Sequence, residues 1–320
     1  MRELVLVFDD LYLHSGAAAQ ARDALRLRYA GARLLVGGWR SVFARRLGRG
    51  DLALAQPAEV VAAAAGLAAD EWWLATPMHW QAGLASVHVP ADAILSLSEH
   101  DSDELVTAFA QVFGGDGLEL RRVAAMQWLL GGLETPGAQA AEPARMLGAT
   151  LDDAAIAGAG AATLRRLGSE IQMWLHDLPL NRRREQAGLP RISALWLWGG
   201  GVTRRDGIAR SESRFDAGAA LEFCSADPWV RAVCALAGAS CSVPEADLSR
   251  TLARAMTSGP MQLWVLASWE RTAYEQAVAA LQSGTIDRLT VLGNDRATTL
   301  VARDRWRFWR PRRDLSEALS

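Results

Sequence analysis

The sequence predicts an α/β protein with a largely parallel sheet flanked by helices. Three observations lead there. Short apolar runs alternate along the 320-residue chain with segments whose apolar residues recur at helical spacing. The helical segments are long enough to cross over and return a parallel strand. The first run, Leu4-Val5-Leu6-Val7-Phe8, is closed by Asp9 and Asp10 and reads as a buried first strand rather than a signal peptide.

In chain order, strands are expected at 4–8, 33–36, 72–75, 85–89, part of 118–130, 194–198, 220–224, 261–267, 289–292 and 298–302. Helices are expected at 17–29, 41–47, 58–69, 102–113, 162–175, 228–236, 245–256 and 273–282, with a short one around 179–187. Leu105, Phe109 and Phe113 lie four apart and mark one helix face. Asp227 and Pro228 are a start signal, an acid cap followed by proline in the first turn. Pro179 suits another first turn, and Gly188 supplies the matching stop. Thirteen tryptophans, many in short apolar runs such as Trp72-Trp73-Leu74 and Leu195-Trp196-Leu197-Trp198, read as buried strand residues or, alternatively, an aromatic ligand platform. Residues 134–161, rich in Ala, Gly and Pro, read as a linker or crossover. The chain is accordingly divided near 150, into an N-terminal α/β lobe (1–150) and a C-terminal α/β lobe (151–320).

Composition excludes several chemistries. All 34 basic residues are arginine, so neither a Walker A lysine nor a pyridoxal Schiff base is possible. Three cysteines without a C-x-x-C pair suit a reducing cytoplasm and argue against a zinc site or disulfide framework. No apolar run reaches membrane-spanning length, and the formal charge of −2 with half the residues hydrophobic describes a soluble, cytoplasmic protein.

The segment from His176 to Gly201 carries the main candidate site. Asn181 and Arg184 share a helix face, and the strand 194–198 ends in Gly199-Gly200-Gly201. Ligands of α/β proteins gather at the carboxyl ends of strands, where glycine lets backbone N–H groups approach an anion. Asn181, Arg184, Trp198, Gly199, Gly200 and Gly201 are therefore expected to form a crevice for a small anion. The competing reading has Asn181 ordering its turn and Arg184 bracing the strand end. The triplet lacks dinucleotide-binding spacing, and Arg204, Arg205 and Arg210 beyond it read as a solvated loop. Arg303 to Arg313 mixes cations and aromatics, which reads as an amphipathic edge strand or, less simply, a docking tail for a partner or nucleic acid. His79 reads as a strand-end or core residue. No histidine follows His176.

Thr76-Pro77-Met78-His79-Trp80, Gln127-Trp128-Leu129, Pro179-Leu180-Asn181 with Arg184 and Gly188, the Leu195-to-Gly201 segment, Ala226-Asp227-Pro228, Leu236-Ala237-Gly238 and the Trp306-to-Arg310 tail together resemble the bacterial RpfE-type regulatory proteins. The His176-to-Gly201 segment more distantly resembles archaeal-type cofactor-independent phosphoglycerate mutases of the alkaline phosphatase superfamily. The resemblance implies an alkaline-phosphatase-like fold and, for the mutases, a two-metal site with a Ser or Thr nucleophile. Asp9 or Asp10 would stand for the first acid ligand, with His14 and His176 as weak metal candidates. The mutases' C-terminal histidine ligands have no counterpart here. The sequence thus leads to a non-catalytic regulatory or binding protein holding a small anion or a partner, without cofactor and away from membranes. The alternatives are an active mutase or phosphatase using Mn²⁺ or Mg²⁺, and an interaction protein docking through its Arg/Trp-rich C-terminus.

Overall fold

In the computed structural model the described residues are 1–8, 33–67, 71–83, 86–124, 127–201, 208, 221–243, 248–255, 262–267, 271–293 and 296–306. The chain forms two compact units, Met1–Leu54 with Arg210–Ser320, and Ala55–Ala209. Residue 150, where the sequence suggested a division, lies inside the second unit. Elements are numbered in chain order.

The first unit is a seven-stranded sheet in the order β13-β12-β14-β1-β15-β16-β2. Its strands are β1 (Glu3–Phe8), β2 (Arg33–Leu34), β12 (Leu221–Ser225), β13 (Cys241–Ser242), β14 (Gln262–Ala267), β15 (Arg288–Gly293) and β16 (Arg296–Val301). The first five in spatial order run parallel, whereas β16 and β2 are antiparallel at one edge. β1 sits between β14 and β15, strands from the far end of the chain, and Leu4 to Phe8 are all buried. This apolar run has protein on both sides because a parallel sheet is covered on both faces.

Alternation divides those faces. Leu4, Leu6, Phe8, Leu263 and Val265 pack with Leu248, Leu252, Tyr274 and Leu281 of helices α7 (Leu248–Ala255) and α8 (Arg271–Ser283). The opposite face carries Phe223 and Trp264. Both rings lie edge-on to Phe43 of α1 (Gly38–Arg46), at 5.4 and 5.7 Å, and Trp229 of α6 (Pro228–Leu236) joins them. Asp227 caps α6 as its sequence foretells: its carboxylate accepts from Val230 N at 2.8 Å, with Pro228 in the first turn.

The second unit is built on an antiparallel four-stranded sheet, β11-β3-β7-β6, made of β3 (Trp73–Met78), β6 (Glu119–Ala124), β7 (Gln127–Gly131) and β11 (Ala194–Trp198). Helices α3 (Glu99–Phe113), α4 (Ala161–Asp177) and α5 (Pro179–Gln186) supply Leu105, Phe109, Leu164, Leu167, Ile171, Leu175 and Leu180 to a core with Trp73, Trp128, Leu195 and Leu197. On the α3 side Ser98 accepts from Asp101 N at 3.0 Å, and Phe109 stacks on Phe113 at 4.6 Å. Helix α2 (Pro57–Ala64) also packs against β3.

Residues 134–161, expected as a linker or crossover, form a folded connection. β8 (Gln139–Ala140) pairs with β10 (Ile156–Ala157), while β9 (Ala149–Thr150) joins β5 (Val87–Val89), which pairs with β4 (Gln81–Ala82). The glycines that blur its periodicity let backbones touch: a Cβ on Gly158 would lie 1.9 Å from Gly137 O. Of the tail read as an edge strand, residues 303–306 lie instead in a 3-10 helix, Ala302–Trp306, which Asp304 fastens by accepting from Val301 N. Residues 307–320 lie outside the described residues, as do the expected helix at 17–29 and Arg204, Arg205 and Arg210. Among the described residues no helix is long and apolar enough to cross a membrane.

Candidate functional site

Asn181 is wholly buried at the start of α5, and each polar atom of its amide is used. Its Nδ2 donates to Leu175 O at 2.7 Å and Ile192 O at 2.9 Å, while its Oδ1 accepts from Ile192 N at 2.8 Å. The side chain thus mimics a strand neighbour for Ile192 and ties the end of α4 to the segment entering β11. An amide has two donor hydrogens, and both are committed here.

Arg184, one turn on, is also buried. Its Nε donates to Pro190 O at 2.9 Å, and its Nη1 pairs with Asp101 at 3.2 Å. Neighbouring Arg183 pairs with Glu104, so two consecutive arginines clamp α5 to α3, and Arg182 is exposed. Arg184→Ala is expected to cost about 2–3 kcal/mol, since it leaves Asp101 and a carbonyl without their donor. A chemical denaturation curve checks this value.

The glycine triplet lies at the other end of β11. Ile192 and Pro190 precede the strand and Gly199 follows it, so the five residues of β11 separate the two features by about 16 Å at roughly 3.3 Å per residue. Asn181 and Arg184 come together; the glycines do not join them in one crevice. Their close approaches are instead to protein. A Cβ on Gly200 would lie 2.3 Å from Trp72 O and 2.7 Å from the Trp73 ring, and one on Gly201 2.4 Å from Ala138 O. Gly199 O accepts from Ala58 N, and Trp198 Nε1 donates to Thr76 Oγ1 at 2.9 Å. Nearby donors already serve a carboxylate of the chain, since Glu71 accepts from Trp73 Nε1, Thr135 N and Thr135 Oγ1.

His176 is exposed in the last turn of α4, where its carbonyl accepts from Arg191. His79 sits just past β3, its Nδ1 3.0 Å from Arg191 O, as a strand-end histidine should. Asp9, Asp10 and His14 lie outside the described residues. Among the described residues no three His, Cys, Asp or Glu side chains gather where they could hold a metal ion.

One concavity escaped sequence reading. A cleft of about 220 Å³ opens between α4 and β11, walled by Trp80, Trp196, Leu195, Leu164, Ile156 and Val87. Trp196 holds its position by donating to Ala141 O at 2.7 Å and meeting Trp80 edge-on at 5.9 Å. Gly168, Ser169, Gln172 and Arg165 line the helical side. Arg165 donates to the Asp153 and Ile156 carbonyls and has no carboxylate within ion-pair distance among the described residues. The signal was Gly168, a glycine in the interior of an amphipathic helix facing a tryptophan-rich strand.

No known family model matches the chain, and no curated protein matches it. Among solved structures it is similar to a cofactor-independent phosphoglycerate mutase from Thermoplasma acidophilum, 14% identical, over 99% of this chain and 94% of that chain, with a TM-score of 0.40. It is also similar to the PH0037 protein from Pyrococcus horikoshii, 11% identical, over 99% of this chain and 91% of that chain, with a TM-score of 0.42. The chain is an α/β protein with a distant likeness in structure to a cofactor-independent phosphoglycerate mutase.

Proposed function

We propose that this protein is a non-catalytic, mutase-like binding protein of regulatory role. Its ligand is a small anion with an apolar body, held in the cleft between α4 and β11. The observation that carries this reading is the make-up of that cleft: two indoles and seven aliphatic side chains form the walls, with a cation and an amide on one rim. Binding sites of small molecules have that composition, mostly apolar with a few placed polar groups. Arg165, bonded among the described residues only to neutral carbonyls, supplies the charge, and Gln172 a second polar contact. The Trp80 Nε1–H is buried in the wall without an acceptor among the described residues, and a ligand oxygen reaching it would complete that donor. Asn181 and Arg184 serve the site indirectly, by fixing the end of α4 and the entry to β11. The lack of any histidine beyond His176 supports the absence of a mutase-type metal pair.

The test is a thermal-shift series on the full chain with phenylacetate, indole-3-acetate and 3-phosphoglycerate. An apolar carboxylate at a hundredfold excess over its Kd should raise Tm by about 5 °C or more, and 3-phosphoglycerate should not. Gly168→Leu, which fills the cleft from an open position on the helix, should abolish the shift, and Arg165→Gln should weaken it. No shift with either carboxylate, or one that survives Gly168→Leu, would sink the reading. Gly168→Ala, by contrast, is expected to stabilise the unit by about 0.5–1 kcal/mol, because a mid-helix glycine gives up more backbone freedom than alanine. Urea unfolding measures that gain directly.

A further inference from the structure

A second chemistry lies in the first unit, where two of the three cysteines sit on elements packed against each other. β13 pairs with β12 so that Cys241 stands opposite Phe223. Residues paired across parallel strands share a face, and Phe223 faces α1 and α6 through its contact with Phe43. Cys241 therefore points to the side on which α6 lies. Cys224, one residue past Phe223, belongs to the core on the opposite face.

Cys234 occupies the last turn of α6. The helix ends at Leu236, Gly238 takes the left-handed conformation, and Ala239 N donates back to Cys234 O at 2.8 Å. That turn returns the chain toward the sheet and sets β13 against α6, near enough for the Cys234 and Cys241 thiols to influence each other. Cys241 Sγ also lies 3.7 Å from Ser242 O and 4.0 Å from Ser225 O. Cys234 is buried, whereas Cys241 is partly open to solvent.

The two sulfurs are unequal. The thiol of Cys234 donates to Cys241 and, with the Arg231 cation, outweighs burial and holds Cys241 below the ordinary thiol range; Asp227 opposes this only weakly. The same bond, reinforced by burial, pushes Cys234 up. Arg231 lies three residues before Cys234, hence on the same face of α6. A partly exposed, lowered thiol beside a buried partner and a cation is the setting of a reactive cysteine with its resolving thiol.

We infer that Cys234 and Cys241 are a reversible dithiol–disulfide pair oxidised by hydroperoxides, with Cys241 as the attacking sulfur. The Cys241 thiolate attacks the terminal peroxide oxygen: an S–O bond forms, the O–O bond breaks, and the alkoxide leaves as alcohol with the thiol's proton. The Cys234 sulfur then attacks the Cys241 sulfenic acid. The S–S bond forms, the S–O bond breaks, and hydroxide leaves as water with the Cys234 proton. Two thiols lose two electrons in all, and one hydroperoxide becomes alcohol and water. An external dithiol reverses the change by exchange. Six residues separate the cysteines, so the bridge would pin the end of α6 to β13 without moving either element far.

Peptide mapping of the full chain tests this, because trypsin releases Ala232 to Arg250 with both cysteines and leaves Cys224 in the preceding peptide. After equimolar hydrogen peroxide and alkylation, the 232–250 peptide should be lighter by two hydrogens than its reduced, unalkylated form and carry no alkyl group. A dithiol should restore two alkylatable thiols, and Cys224 should stay alkylatable throughout. In Cys234→Ser, Cys241 should accept a dimedone label; Cys241→Ser should leave Cys234 unoxidised. Two alkylated cysteines in the wild-type peptide after peroxide, equal oxidation of Cys224, or a disulfide between two chains would each overturn the proposal. The wild-type map decides the matter even where a serine variant does not fold.

Discussion

Replacing Asn181 by alanine should destabilise the second unit by about 2–4 kcal/mol, since it strands two buried backbone groups and weakens the bonding of a third. Ile192 O loses its donor and Ile192 N its acceptor, while Leu175 O keeps only Leu178 N at 3.3 Å, in a place that water does not reach. Each of the two costs about 1–3 kcal/mol when left unpaired, and they belong to one residue, so their sum is not simply additive. The consequence extends beyond stability. Asn181 holds the end of α4 against the entry to β11, the two elements that form the cleft, so a surviving fraction of the variant should also bind carboxylates less tightly. Urea unfolding followed by tryptophan fluorescence reads the first effect. A ligand-contact role would give the reverse pattern, with normal unfolding and lost binding, and would restore the crevice expected from the sequence.

Gly200→Ala should cost about 3 kcal/mol, at the upper end of what overpacking a core produces. The added methyl would lie 2.3 Å from Trp72 O and 2.7 Å from the Trp73 ring, and the first of these is backbone that cannot swing aside. Trp73 is fully buried at the centre of its sheet, and its indole is fastened to Glu71, so it has no free rotamer to retreat into. The near-ultraviolet circular dichroism of the buried indoles should change along with the denaturation midpoint. An unchanged midpoint would mean that the glycines stand in open space, as an anion cradle requires.

The elements were legible because their signals are local. The strand 194–198 and the helix 228–236 fall at the residues expected, since Leu-Trp-Leu-Trp suits a strand and Asp227-Pro228 writes a helix start into two adjacent positions. The strands at 118–130 resolve into a hairpin, β6 and β7, whose turn carries no Asn-Gly or Asp-Gly signal. The path of the chain between units was hidden. β1 pairs with strands more than 250 residues away, and no periodicity reports which run of valines and leucines will lie beside which. The candidate site was half legible. Asn181 and Arg184, expected to share a face, do lie together, and the bracing reading of Arg184 matches its bond to Pro190 O. Their separation from Gly199 to Gly201 depends on which end of β11 each occupies. The cleft depends on what α4 packs against, and Gly168 alone hinted at it.

We propose that the chain binds its ligand without phosphoryl transfer, and phosphorus NMR decides between that and an enzyme. The full-length protein is incubated with 3-phosphoglycerate and Mn²⁺ or Mg²⁺, and the spectrum is followed. The expected result is a single, unchanged 3-phosphoglycerate resonance. Growth of a 2-phosphoglycerate or inorganic phosphate signal that vanishes in Asp9→Ala would contradict the claim and make the protein a metal-dependent enzyme.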